Sequence, residues 1–65
     1  MSAALSELPD DGADLVGSYH RFGDIGPAYH VLSVCGGGKV EIMVLESGET
    51  LAYPVREVRD DPVAA

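Results

Sequence analysis

Residues 28–45 read AYHVLSVCGGGKVEIMVL, two apolar runs on either side of three consecutive glycines. Side chains alternate with a period of two in both runs, and β-branched and aromatic residues dominate, as is typical of β-strands. We therefore predict strands at residues 28–35 and 39–45, joined by a hairpin at residues 36–38. Because both faces of the first run are apolar, with Tyr29 and Val31 on one face and Leu32 and Val34 on the other, this strand is expected to be central or strongly coiled.

The flanking segments extend this pattern in both directions. Downstream, the sequence ESGE at residues 46–49 predicts a tight turn with positive φ at Gly48, followed by a strand at residues 50–54. The i, i+3 spacing of Val55 and Val58 favours a single helical or 3-10 turn at residues 55–59, which Asp60-Asp61-Pro62 ends. Upstream, an extended run from residue 15 to residue 19 leads into a loop at residues 22–27. The side chains expected to be mostly buried are Val31, Val34, Ile42, Val44, Leu51 and Tyr53.

The chain divides into three parts. Residues 1–14 form an acidic, weakly ordered arm, in which a short helical turn through residues 3–8 is an alternative. Residues 15–62 form a single small β domain, and residues 63–65 a frayed tail. A chain of 65 residues has room for one small core, since a domain of this size buries only about 60% of its unfolded surface.

Four or five short antiparallel strands with a terminal helical turn predict a mainly β fold, either a curled meander or a small SH3-like barrel. The sequences GSYHRFG at residues 17–23 and YHVL at residues 29–32 resemble small bacterial SH3-like domains of uncharacterised function. The likeness continues through ESGE and Tyr53-Pro54 to about Arg59. It rests on core aromatic residues and turn glycines, so it implies a fold and no binding residues. The segment DIGP at residues 24–27 lengthens the first loop relative to that pattern.

Charge is the strongest functional signal, with eleven acidic residues against four basic ones and a net charge of -7. Such a surface attracts basic protein faces over a Debye length and repels bare nucleic acid. Direct nucleic-acid binding is therefore disfavoured, because phosphates are neutralised by Lys and Arg. The acidic residues predicted to bind a partner are Glu41, Glu46, Glu49, Asp10, Asp11, Asp14, Glu57, Asp60 and Asp61.

No residue pattern predicts catalysis, a cofactor or a metal site. Cys35 has no base and orienting group placed by the sequence, and we expect a half-buried structural thiol. The run GGGK at residues 36–39 lacks the opening glycine and the Ser or Thr of a phosphate loop. His20 and His30 do not have the spacing of zinc ligands, so we expect them at the surface or at a sheet edge.

Two functions remain open at this level. In the first, the protein is an inhibitor or regulator that binds a basic, nucleic-acid-binding surface of a larger protein, as DNA mimics, anti-CRISPR proteins and antitoxins do. In the second, it is an SH3-like adaptor or assembly module that binds a protein through an edge strand or an aromatic groove, or forms a homodimer through that edge. The sequence contains no run of about 18 apolar residues and no recognisable signal peptide. The expected location is therefore the cytoplasm of a bacterium.

Overall fold

The computed structural model describes residues 10–64, so the helical turn predicted within residues 3–8 lies outside the described part of the chain. The structure is mainly β, which confirms the predicted fold class. A single antiparallel sheet has the strand order β1-β2-β3-β4, the order of a meander. Its elements are a 3-10 turn (Ala13–Leu15), β1 (Tyr19–Arg21), β2 (Ala28–Gly36), β3 (Lys39–Val44), β4 (Thr50–Pro54) and the helix α1 (Val55–Asp60).

Glycines form the turns of both predicted hairpins. Gly37 and Gly38 have φ of 64° and 76° and connect β2 to β3. Positive φ at both central residues is what a type I′ turn requires, and the twist of such a turn matches that of the flanking strands. At the second hairpin, Gly48 has the predicted positive φ of 78°. The loop is closed where the Val44 N–H donates to the Glu49 carbonyl at 2.8 Å.

The alternation of β2 is interrupted by a bulge that the sequence did not reveal. Val31 lies opposite Ile42 and Ser33 lies opposite Glu41, so Leu32 is an additional residue in β2. A bulge of this kind shifts the following residues to the opposite face. Val34 consequently lies opposite Val40, on the same face as Val31, whereas strict alternation had placed it on the other face.

The core lies on one face of the sheet, here called the inner face, and α1 packs against it. Its members have at most 3% of their surface exposed and are Tyr29, Val31, Val40, Ile42, Val55 and Val58. The i, i+3 spacing of Val55 and Val58 places both on the buried side of the helix. Gly12 is buried against this core, because a Cβ there would lie 2.8 Å from Val55 and 2.9 Å from Val40.

Two predicted core residues are wrong: Val34 is 40% exposed and Leu51 is 41% exposed. Both belong to the inner face by register, since their cross-strand partners, Val40 and Ile42, are fully buried. Each lacks a neighbouring strand on one side. β1 pairs with β2 only at Ala28–His30 and does not reach Val34, and Leu51 lies on the last strand of the sheet. Val44 and Tyr53 are half-buried.

The two ends of the domain also differ from the sequence prediction. Instead of an extended run at residues 15–19, the chain forms the 3-10 turn and begins β1 only at Tyr19. The tail predicted to fray pairs with β1, where His20 and Val63 form an antiparallel bridge. The Ala64 N–H donates to the Tyr19 carbonyl at 2.9 Å. The C-terminal segment, residues 62–64, thus acts as a short additional strand.

Candidate protein-binding edge

Two hydrogen bonds determine which backbone groups of β4 face outward. The Val44 N–H donates to Glu49 and the Val55 N–H donates to Gly38, at the two ends of the β3–β4 hairpin. Because bonded pairs alternate along an antiparallel ladder, Leu51 and Tyr53 are the β4 residues bonded to β3. The N–H and C=O groups of Thr50 and Ala52 therefore point away from the sheet. Among residues 10–64, no other backbone group pairs with them; we call this side of β4 the open edge.

The opposite edge of the sheet is closed. The outward backbone groups of β1 belong to Tyr19 and Arg21, and both bind the C-terminal segment. The Arg21 N–H donates to the Pro62 carbonyl at 3.0 Å, and the Tyr19 carbonyl accepts from the Ala64 N–H. A paired edge offers no template to another chain, whereas an unpaired one does.

The side chains of the open edge are uncharged. Thr50, Leu51 and Ala52 are exposed, and no residue of Thr50–Pro54 is acidic or basic. Natural edge strands are commonly protected by lysines, inward charges or prolines. Here only Pro54, at the end of the strand, has this effect, since it has no N–H to donate. The open edge therefore retains the donors and acceptors that strand addition uses.

Acidic residues flank this edge. Glu41 lies opposite Ala52 on the outer face of the sheet, and Ser33 Oγ donates to its carboxylate at 3.4 Å. Glu46 and Glu49 are exposed in the loop that enters β4. Within residues 10–64 none of these carboxylates forms a salt bridge. We call Glu41, Glu46 and Glu49 the acidic rim.

Asp10 and Asp14 were predicted to bind a partner, but the structure pairs both with Arg59. The distance from Arg59 Nε to Asp10 Oδ2 is 2.6 Å, and that from Arg59 Nη2 to Asp14 Oδ1 is 2.8 Å. Hydrogen bonds from the guanidinium hold the pKa of both carboxyls below the ordinary value and raise the pKa of Arg59. This arginine therefore fastens residues 10–14, part of the predicted weakly ordered arm, to α1.

Asp61 is also engaged within the fold. Its Oδ2 atom accepts hydrogen bonds from Tyr29 Oη at 2.6 Å and Tyr53 Oη at 3.1 Å, and its Oδ1 atom accepts from the Gly23 N–H at 3.2 Å. Burial and the bond to Asp61 raise the pKa of Tyr53 to about 12 and raise that of Tyr29 further. The carboxylate joins the end of α1 to strands β2 and β4 and to the β1–β2 loop.

The remaining predicted acids are exposed. Asp11 accepts a hydrogen bond from the Ala13 N–H at 2.9 Å and thereby forms a local turn. Glu57 and Asp60 lie on the solvent side of α1. Asp11, Glu57 and Asp60 lie on other elements of the fold than the acidic rim, so charge reversal can test the two groups of acids separately.

The aromatic residues do not form an exposed groove. Phe22, Tyr29 and Tyr53 pack on one another with ring centroids 4.4 to 5.5 Å apart. Tyr19 remains exposed and stacks on His30, with centroids 4.3 Å apart. The Tyr19 ring lines a shallow recess of about 320 Å³ with Arg21, Ala28, Leu45 and Ala64.

His20 was predicted at the surface or at a sheet edge, and the second alternative is the one that the structure shows. It lies on the edge strand β1, but only 5% of its surface is exposed. Ser18 Oγ lies 2.8 Å from His20 Nε2 and donates its own proton to the Leu15 carbonyl. Serine two residues before a strand histidine is the sequence signal for this pair.

The other chemically reactive side chains do not converge. Cys35, predicted to be half-buried, is exposed near the end of β2, because that part of the strand has no β1 neighbour. Among residues 10–64, no group of three or more His, Cys, Asp or Glu side chains is arranged to hold a metal ion. No helix within the same residues has the length and apolar character needed to cross a membrane.

Comparison with known proteins places the chain in a family. Residues 4–65 match the sequence profile of a family of unknown function, DUF5397. The chain belongs to this family. No curated protein and no solved structure matches it. Membership in DUF5397 agrees with the resemblance to uncharacterised domains and gives no support to the SH3-like part of that resemblance.

Proposed function

We propose that this DUF5397 protein is a small non-enzymatic regulator that binds a basic surface of a larger protein. The observation that supports this proposal is the acidic rim beside the open edge. Asp10, Asp14 and Asp61 are engaged within the fold, whereas the rim carboxylates remain available at the surface. Available charges steer association with a basic partner and contribute to partner choice.

The proposed partner is a protein whose basic surface binds nucleic acid, and the proposed location is the bacterial cytoplasm. A compact acidic protein occupies such a surface by presenting carboxylates in place of phosphates, as DNA mimics and anti-CRISPR proteins do. Antitoxin-like neutralisation is the same physical interaction with a different target. The chain itself does not bind nucleic acid in this proposal, since its few cations are outnumbered by acids.

Charge reversal of the rim tests this function. The triple variant Glu41→Lys, Glu46→Lys, Glu49→Lys is compared with the triple variant Asp11→Lys, Glu57→Lys, Asp60→Lys, which changes the net charge equally. Capture of host proteins by the tagged chain is measured at low and high salt. We expect the rim variant to lose its salt-sensitive partner and the control to retain it, with nucleic acid competing for the captured protein. Equal loss of partner capture in both variants would show that only net charge matters. Capture that does not depend on salt would contradict the proposal.

The open edge favours a second candidate, an adaptor or assembly module that pairs with a protein through β4. This candidate keeps the SH3-like relationship as a proposal about the fold. It predicts little dependence on salt, no competition by nucleic acid, and sensitivity to changes in the backbone of β4. A homodimer through the same edge belongs to this candidate and is detected by the mass of the protein in solution.

A further inference from the structure

We infer that the open edge binds an extended basic segment of the partner as a fifth strand, in which basic and apolar side chains alternate. This inference rests on the proposed function and specifies the form of the partner at the acidic rim. Main-chain hydrogen bonds supply affinity in strand addition, and alternate side chains supply specificity. The Thr50 and Ala52 backbone groups provide the hydrogen-bonding template.

The outer face of β4 selects basic side chains. Glu41 on β3 lies opposite Ala52, so Ala52 stands between Glu41 and the open edge. The side chain of Ala52 is a single methyl group. Adjacent strands lie about 4.8 Å apart, so a residue added beside Ala52 is about 10 Å from the β3 backbone. Extended arginine or lysine side chains pass over the alanine to reach Glu41 across that distance. Glu49 lies opposite Val44, in the register of the inner face, so Glu41 provides this outer-face contact.

The inner face selects apolar side chains. Leu51 belongs to the inner face but remains 41% exposed, because no strand lies beyond it. The added residue beside Leu51 would cover it, extending the row that contains Val31 and Ile42. Side chains alternate between faces whichever direction the added strand runs. The partner segment must therefore alternate basic and apolar residues.

Charge distinguishes this occupant from a second copy of the chain. Pairing of two β4 strands would join two molecules that each carry a net charge of -7 and would put two acidic rims on one continuous sheet. A net charge this far from zero opposes association between identical molecules. The incoming basic segment instead neutralises the rim while it covers Leu51.

The experiment uses a short peptide that alternates arginine and valine, and a control peptide of the same composition with its arginines and valines in separate blocks. Binding to the full chain is measured by titration, and hydrogen exchange reports on the amides of β4. We expect the alternating peptide to bind at least about tenfold more tightly than the block peptide and to slow exchange at Thr50 and Ala52.

Two variants at one position separate backbone pairing from charge. Ala52→Pro removes the outward N–H without removing a bond to β3, and Ala52→Thr retains that N–H. Circular dichroism confirms that both are folded. We expect Ala52→Pro to reduce the affinity of the alternating peptide by about tenfold or more and Ala52→Thr to preserve binding.

The outcomes distinguish this inference from the proposed function. If both peptides bound in a salt-sensitive manner and Ala52→Pro did not change their affinity, strand addition would be overturned. The proposed function as an acidic regulator would remain. A third outcome combines the two experiments: the rim variant alone loses partner capture, and neither peptide binds the chain in titration. This outcome would likewise refute strand addition and support the proposed regulator. Slow exchange of the Thr50 and Ala52 amides in the absence of peptide would also overturn the inference in two cases. In the first, the slow exchange accompanies dimerisation, so a second copy pairs with the edge. In the second, it disappears when residues 1–9 are deleted, so those residues cover the edge.

Discussion

The two edges of the sheet differ in what covers them. At the β1 edge, Tyr19 and Arg21 are paired with residues 62–64, which return to the sheet after α1. At the β4 edge, Thr50 and Ala52 have no such partner within residues 10–64. Both edges belong to the same small sheet, so their difference arises from the path of the chain after β4 and not from strand propensity. Within residues 10–64, the C-terminal segment thus protects one edge of the sheet and no segment covers the other.

Asp61 joins the end of α1 to β2 and β4, directly before the segment that closes the β1 edge, and its loss is expected to have the largest effect. In Asp61→Ala the hydroxyls of Tyr29 and Tyr53 lose their acceptor, and an unsatisfied donor costs about 1–3 kcal/mol where it is buried. We expect the free energy of unfolding to fall by about 3 kcal/mol in urea titration. Asp61→Asn keeps an oxygen acceptor, so its free energy of unfolding should fall clearly less than that of Asp61→Ala. Equal stability of Asp61→Ala and the parent chain would show that the carboxylate does not stabilise the fold.

Truncation after Asp61 tests whether the C-terminal segment closes the β1 edge. The variant loses the hydrogen bonds at Tyr19 and Arg21, each of which contributes about 0.5–1.5 kcal/mol. The expected loss of stability is about 2 kcal/mol, with fast exchange of the Arg21 amide. The full-length variant Ala64→Pro removes only the donor to Tyr19 and should lose about half as much. If the Arg21 amide stayed protected after truncation, some other group would be closing this edge.

Proline scanning compares the two edges with the same chemical change. Arg21→Pro removes an N–H that donates to Pro62, whereas Ala52→Pro removes one that points outward from the open edge. We expect Arg21→Pro to destabilise the fold by about 1–2 kcal/mol and Ala52→Pro to change stability by no more than about 0.5 kcal/mol. Thermal unfolding of both variants gives the difference. A larger loss for Ala52→Pro would mean that the β4 edge is already paired in the free protein.

The smallest effect concerns the ion pairs of Arg59, which lie at the surface of α1. Because Asp10 and Asp14 have lowered pKa values in the folded protein, their contribution to stability is present above the ordinary aspartate pKa and is lost as pH falls through the lowered values. In Arg59→Met both pKa values should rise toward the ordinary value, as measured by NMR titration. Arg56→Met, the same charge change on the same helix, should leave them unchanged. If the pKa values of Asp10 and Asp14 were the same in Arg59→Met as in the parent chain, the ion pairs would not form in solution.

Local sequence signals determined much of this fold. The period-two runs on either side of Gly36-Gly37-Gly38 predicted β2 and β3, the ESGE turn predicted β4, and the spacing of Val55 and Val58 predicted α1. Each of these depends on contacts or conformations close in sequence, such as the positive φ of turn glycines and the alternation of side chains along a strand. Net charge depends only on composition, and it likewise indicated an acidic surface.

Only the tertiary structure decided which residues are available to a partner. The bulge at Leu32 moved Val34 to the inner face, and the missing neighbour strands left Val34 and Leu51 exposed. Arg59 pairs with acids 45 and 49 residues away in sequence, and Asp61 became the acceptor of two tyrosines. Composition counts carboxylates but does not show their partners, because an ion pair or a sheet edge depends on segments that meet only in space. The sequence by itself therefore determined the strands and the sign of the charge, and the return of the chain onto β1 decided which edge stayed open.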